Sequence, residues 1–212
     1  MPIKDCQTKK LIIETAMKVF FAEGRIYATT QNIADEAGVN RTLINYYFRS
    51  KKSLLAIAIK TTRKEFIRNS DLILSSDLPF KEKTERFIDD FMNNLLKYPY
   101  LESFVTADLI QRRLMKNAAA GSIEKQPAPI KQYLEKISEE MEAGNMPKNN
   151  PVHFMMNIFS LMIYPIIMKP LQMSILNLSE TEYQKILYER KKVILELLFS
   201  SEDAKEKFKN QN

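Results

Sequence analysis

The chain has 212 residues, 45% of them hydrophobic, enough for a sizeable core in one large domain or two modest ones. Its single cysteine, Cys6, excludes an internal disulfide and fits a reducing, cytoplasmic compartment, and MPIKDCQTKK lacks the apolar segment of a secretory signal. The net charge of +6 is unevenly placed: residues 1–60 hold ten Lys/Arg against five Asp/Glu, leaving 22 against 21 elsewhere, so the excess that suits phosphate lies in the N-terminal quarter.

From Thr8 to about Glu23, Ile12, Ala16, Val19 and Phe20 recur on one face of an amphipathic helix, and Gly24 suits its end. Thr29 and Thr30 offer caps for a second helix, Gln31 to Ala37. Gly38 suits a tight corner, Asn40 can cap a third helix, Arg41 to Phe48, and Ser50 a long fourth. Further helices are expected at Lys81 to Lys97, Tyr100 to Met115, Ile130 to Ala143, the apolar stretch from Val152 to Met168, and Glu180 to Phe199. Residues 117–129 read as a connection and 200–212 as a frayed polar tail. With four glycines, no tryptophan and no strand alternation, the fold class is all-α, with about nine helices.

Val152 to Met168 is uncharged but at the short limit for a bilayer, so a buried helix is the better reading and no membrane partner is expected. His153 stands alone, without a second histidine or a nearby cysteine to share a metal, and reads as a core or pocket residue. With no Gly-rich phosphate loop or metal-ligand cluster either, no catalytic residue, metal or cofactor is assigned, and an enzyme is disfavoured.

The stretch Thr29 to Lys52, TTQNIADEAGVNRTLINYYFRSKK, has the form of a helix-turn-helix. A recognition helix needs one face for its own domain and another for the major groove. Ile44 and Phe48 lie four apart and can point inward, while Arg41, Thr42 and Asn45 share the opposite side. Arginine pairs with guanine O6/N7 and asparagine with adenine N6/N7. Lys51 and Lys52 open the next helix, where free backbone N–H groups favour phosphate, and Tyr46 and Tyr47 can add phosphate hydrogen bonds.

Residues 10 to 58, from the apolar helix ending in FFAEGRIYATT through NIADEAGV to NRTLINYYFRSKKSLL, resemble the tetracycline-repressor (TetR) family of bacterial regulators. The resemblance implies an all-helical subunit with a three-helix DNA-binding domain at 1–50 and an effector-binding and dimerisation domain at 51–212, linked by the helix from Ser50. By position it places Thr30 and Gln31 where members touch phosphate and sometimes a base, Arg41, Thr42 and Asn45 at base-reading positions, and Tyr46, Tyr47 and Lys51 at phosphate. Many members carry glycine where Thr42 stands and tyrosine where Asn45 stands, so the operator need not be a familiar one.

The expected function is a repressor that binds a palindromic operator as a homodimer and is released by a small apolar or aromatic effector. Phe91, Phe104, Tyr133, Phe154, Met155, Phe159 and Met162 are the candidate effector contacts; at helical spacing such residues are core first, and methionine suits adaptable binding surfaces. The segments near 152–170 and 180–199 carry more apolar surface than a monomer easily hides, which suits a four-helix interface across a two-fold axis. The competing expectation is a ligand-independent activator or architectural DNA-binding protein.

Overall fold

In a computed structural model the described residues are 3–115 and 128–199, with side chains described for 5–110 and 128–199. The connection expected at 117–129 therefore falls almost wholly outside them, and the tail 200–212 does so entirely. All regular structure among the described residues is helical: α1 (Ile3–Met17), α2 (Thr30–Ala37), α3 (Arg41–Phe48), α4 (Lys51–Leu74), α5 (Phe80–Lys97), α6 (Leu101–Met115), α7 (Ala128–Glu142), α8 (Pro151–Ile167), α9 (Lys169–Leu176) and α10 (Glu180–Phe199). The tenth helix, beyond the nine expected, is α9. Proline at 165 and 170 withholds two helical N–H donors, and α8 and α9 are bent by 72° about Met168.

The chain divides into two compact units. The first comprises the described residues of Met1–Arg68 and Asn94–Ala119, and the second those of Asn69–Asn93 and Ala120–Asn212. The proposed sequence boundary at 50/51 thus lies within the first unit, whose core includes Leu54 and Ala58 of α4 and Leu101 of α6 beside Ile12, Phe20, Ile33, Ile44 and Phe48. α1 begins earlier than Thr8 and passes into one π-helical turn, Lys18–Ala22, closed by Glu23 N–H donating to Lys18 O at 3.0 Å. The extra residue in that turn re-phases the helix, so the sequence neighbours Val19, Phe20 and Phe21 are all fully buried.

In the second unit α7 buries Tyr133, Ile137 and Met141 at four-residue spacing, α8 buries Phe154, Met155, Ile158 and Met162, and α10 buries Tyr183, Leu187, Ile194 and Leu198. Asn150 caps α8 by accepting from Val152 N–H at 2.9 Å, with Pro151 at the first helical position. Pro165 cannot bond the carbonyl of Leu161, and that carbonyl instead accepts from Arg190 Nε of α10 at 3.1 Å. Two charged residues within α10 are thus partnered: Arg190 satisfies α8, and Lys191 pairs with Asp89 at 2.6 Å and Glu85 at 3.1 Å on α5. His153 departs from expectation, standing exposed on the first turn of α8 rather than in a core or pocket.

No single helix among the described residues is long and apolar enough to cross a membrane.

Candidate nucleic-acid interface

The site is assembled by local capping. Thr29 Oγ1 accepts from Asn32 N–H at 3.2 Å while Asn32 Oδ1 accepts from Thr29 N–H at 2.8 Å, a reciprocal box that starts α2. Gly38, at φ 64°, ends α2 in the left-handed region. Val39 N–H donates to Ala34 O at 2.9 Å and Gly38 N–H to Asp35 O at 3.2 Å, satisfying the last carbonyls. Asn40 then caps α3, its Oδ1 accepting from Thr42 N–H at 2.8 Å. The junction with α4 is tighter: Ser50 N–H donates to Phe48 O at 2.7 Å across Arg49, which is held at φ 63°, and Ser50 Oγ accepts from Ser53 N–H at 3.1 Å.

Four charges clamp α2 from behind. The Glu36 carboxylate accepts from Lys18 at 2.8 Å and Arg25 at 2.7 Å, and Glu23 lies 3.4 Å from Lys18 and 3.2 Å from Arg25. Hydrogen bonds from Lys18 and then Arg25 hold the Glu36 carboxyl below its ordinary range.

α3 presents two faces, as its spacing predicts. Ile44 and Phe48 are buried; Arg41, Thr42, Asn45 and Tyr46 are exposed, Tyr46 to 72%. The other expected contact residues carry protein partners that their sequence positions do not reveal. Thr30 is only 9% exposed, and its hydroxyl accepts from Arg41 Nε at 3.2 Å. Gln31 Nε2 donates to Asp35 Oδ1 at 2.6 Å. Tyr47 is half-buried and donates its hydroxyl proton to Asp5 of α1, and this bond to the carboxylate is the largest cause pushing the phenol up to about 12. Lys51 Nζ donates to Ile26 O at 2.9 Å and lies over the Phe20 ring at 5.7 Å, with further N–H donors left for an anion. Lys52 and Arg49 beside it are exposed. Asp5 was not legible as a site residue, because its partner is 42 positions away.

The candidate effector residues separate. Phe104 belongs to the first unit, its ring 5.9 Å from Phe20 and 5.6 Å from Phe21. Phe91, Tyr133, Phe154, Met155, Phe159 and Met162 belong to the second unit. There Phe80 stacks on Tyr133 at 5.5 Å and meets Phe154 at 6.0 Å, and Phe159 meets Phe91 at 5.4 Å and Phe87 at 6.1 Å. Thr84 Oγ1 donates to Phe80 O at 2.8 Å, so the 2.5 Å contact with Tyr133 has the phenol as donor. Burial holds that phenol above its ordinary range.

Residues 12–57 match the family model described as bacterial regulatory proteins, tetR family. Over 150 residues, 68% of this chain and 74% of the relative, the sequence is 27% identical to the uncharacterized HTH-type transcriptional regulator YhgD of Bacillus subtilis (strain 168). The fold is similar to that of a TetR/AcrR-family regulator from Thermobifida fusca, at TM-score 0.54, 15% identity, and 88% and 96% coverage of this chain and that one. It is also similar to the TetR-family regulator PfmR from Thermus thermophilus, at TM-score 0.54, 16% identity, and 87% and 93% coverage. The capped helix-turn-helix described above thus lies within the residues that match the tetR family model, in a chain whose fold is similar to those of TetR-family regulators.

Proposed function

We propose that the protein is a homodimeric repressor that grips a palindromic operator through α3 and is released by a small apolar or aromatic effector. The observation that carries the DNA-reading half is the two-sided α3: Ile44 and Phe48 buried, with Arg41, Thr42, Asn45 and Tyr46 projecting together. Thr42 and Asn45 would read base edges with Arg41. Tyr46, Lys51 and Lys52 would hold phosphate. Residues 1–50 form the reader, supported by the first turns of α4, and 51–212 the regulatory part.

Dimerisation is supported by apolar side chains left exposed in the second unit. Val152, Met156, Tyr164 and Ile167 follow one another along α8, and Ile186, Val193 and Leu197 along α10. Pairing these helices with a second copy would cover them and give two recognition helices for two half-sites. The effector would act by binding better to a dimer whose recognition helices are wrongly spaced. α4 contributes residues to both units and is the proposed link.

The test is selection from a random duplex library followed by sedimentation of the selected complex. A palindromic consensus bound by two chains supports the proposal; a single half-site bound by one chain contradicts it. The ligand-independent reading draws on the ring-on-ring packing around Phe80, Phe87 and Tyr133, which is that of a filled core. An effector would have to part those rings. Screening apolar and aromatic compounds for release of the operator separates the two.

A further inference from the structure

The two helices of the motif are tied at their N-termini by one side-chain contact. Thr30 is the first residue of α2 and Arg41 the first of α3. The Thr30 hydroxyl is too buried to meet DNA broadly, and it accepts the Nε–H of Arg41 at 3.2 Å. We propose that Thr30 is a positioning residue for base recognition: it fixes the guanidinium of Arg41 so that the Nη1/Nη2 edge, not the Nε edge, is offered to a guanine. This deepens the DNA-reading assignment of α3 and rests on it.

The chemistry follows from the shape of the group. A guanidinium is planar and offers its N–H donors as two alternative forks, Nη1 with Nη2 or Nε with Nη2. Guanine presents O6 and N7 as paired acceptors in the major groove, and either fork can meet them. Committing Nε to Thr30 removes the second fork and sets the plane of the first. The residue at the start of a recognition helix is the one placed to reach base edges, so the constraint acts where sequence is read. Thr42 and Asn45 have no comparable tether from α2 among the described residues.

A merely structural role for the hydroxyl makes a different prediction. Thr30→Val keeps the branched shape and the buried methyl, and Arg41 is exposed, so water can take its Nε–H and stability changes little. Base preference should change instead.

The experiment is selection and sequencing from a random duplex library with the full chain, using wild type, Thr30→Val, Thr30→Ser, Arg41→Lys and the Thr30→Val/Arg41→Lys pair. Thr30→Val is expected to lower guanine preference about tenfold at one symmetric pair of positions, as loss of a well-oriented bidentate contact would. The other positions and the salt dependence stay as in wild type. Thr30→Ser keeps the preference. Arg41→Lys lacks the Nε–H that Thr30 holds, so its base preference is expected to be the same with Thr30 or Val at position 30, and Thr30→Ser, which keeps the hydroxyl, supplies the comparison where Thr30→Val folds poorly.

Unchanged guanine preference in Thr30→Val overturns the inference, as does an equal loss at all positions. A wild-type protein that enriches no sequence overturns the DNA-reading assignment itself, a separate outcome.

Discussion

Gly24 and Gly38 allow a backbone cost to be separated from a packing cost within one unit. Both hold φ in the left-handed region, at 67° and 64°. A Cβ built on Gly38 meets nothing within 4 Å, whereas one on Gly24 falls 2.7 Å from the Tyr100 ring. An L-residue at such a φ costs about 1–2 kcal/mol, and losing glycine's unfolded-state freedom returns about 0.4–1 kcal/mol. Gly38→Ala should therefore destabilise by about 1 kcal/mol. Gly24→Ala adds a clash that can relax only by moving the ring. Overpacking of this kind costs about 1–3 kcal/mol, and because Tyr100 is 44% exposed the lower end applies, giving about 2 kcal/mol in all. Urea unfolding followed by circular dichroism measures both. In a Tyr100→Ala background the excess at Gly24 should vanish, because the backbone bond from Tyr100 N–H to Phe21 O at 3.0 Å needs no side chain. Equal losses at the two glycines, or an excess that survives removal of the ring, would refute the reasoning.

Arg190→Ala should destabilise the protein by about 1–2 kcal/mol in the same assay, because the Leu161 carbonyl beside Pro165 loses its donor; Arg190→Lys should restore little of this, since an ammonium does not reproduce the Nε geometry. Met156→Glu should shift the sedimentation profile toward monomer, as it puts a charge amid the exposed apolar run of α8. The Tyr47 phenol, raised to about 12 chiefly by the Asp5 carboxylate, should return toward its ordinary value in Asp5→Ala, read as the ultraviolet titration difference from Tyr47→Phe. Since the folded value lies above the unfolded one, its contribution to stability is full below about pH 10 and is lost as pH rises through about 12.

What was legible in the sequence was what short-range spacing encodes. Thr29, Asn40 and Ser50 cap the helices they precede, Gly38 takes the left-handed corner, and Ile44 and Phe48 are buried on the predicted face. Capping and periodicity act within about one turn, so the pattern survives any tertiary arrangement. The bonds that tie up candidate contacts did not show, because each spans a loop or a helix: Arg41 to Thr30, Lys51 to Ile26, Tyr47 to Asp5. Phe104 illustrates the same limit for packing. Its spacing in α6 marks an inward face, but which aromatic cluster receives that face is decided by topology, and it is the Phe20–Phe21 cluster. The separation of α9 from α8 was foreshadowed by Pro165 and Pro170, yet whether a proline bends a helix or ends it depends on who takes the freed carbonyl. Arg190 supplies that donor for α8.

The central claim is that the exposed face of α3 reads base sequence while the start of α4 holds phosphate. The most direct measurement is fluorescence anisotropy of wild type, Asn45→Ala and Lys52→Ala on the library-selected duplex and a scrambled one, across a salt series. Asn45→Ala should lose about 1–3 kcal/mol on the selected duplex and little on the scrambled one, with its salt slope unchanged. Lys52→Ala should weaken both duplexes alike and reduce the salt slope by about one per subunit. Equal affinity of all three proteins for the selected duplex would contradict the assignment.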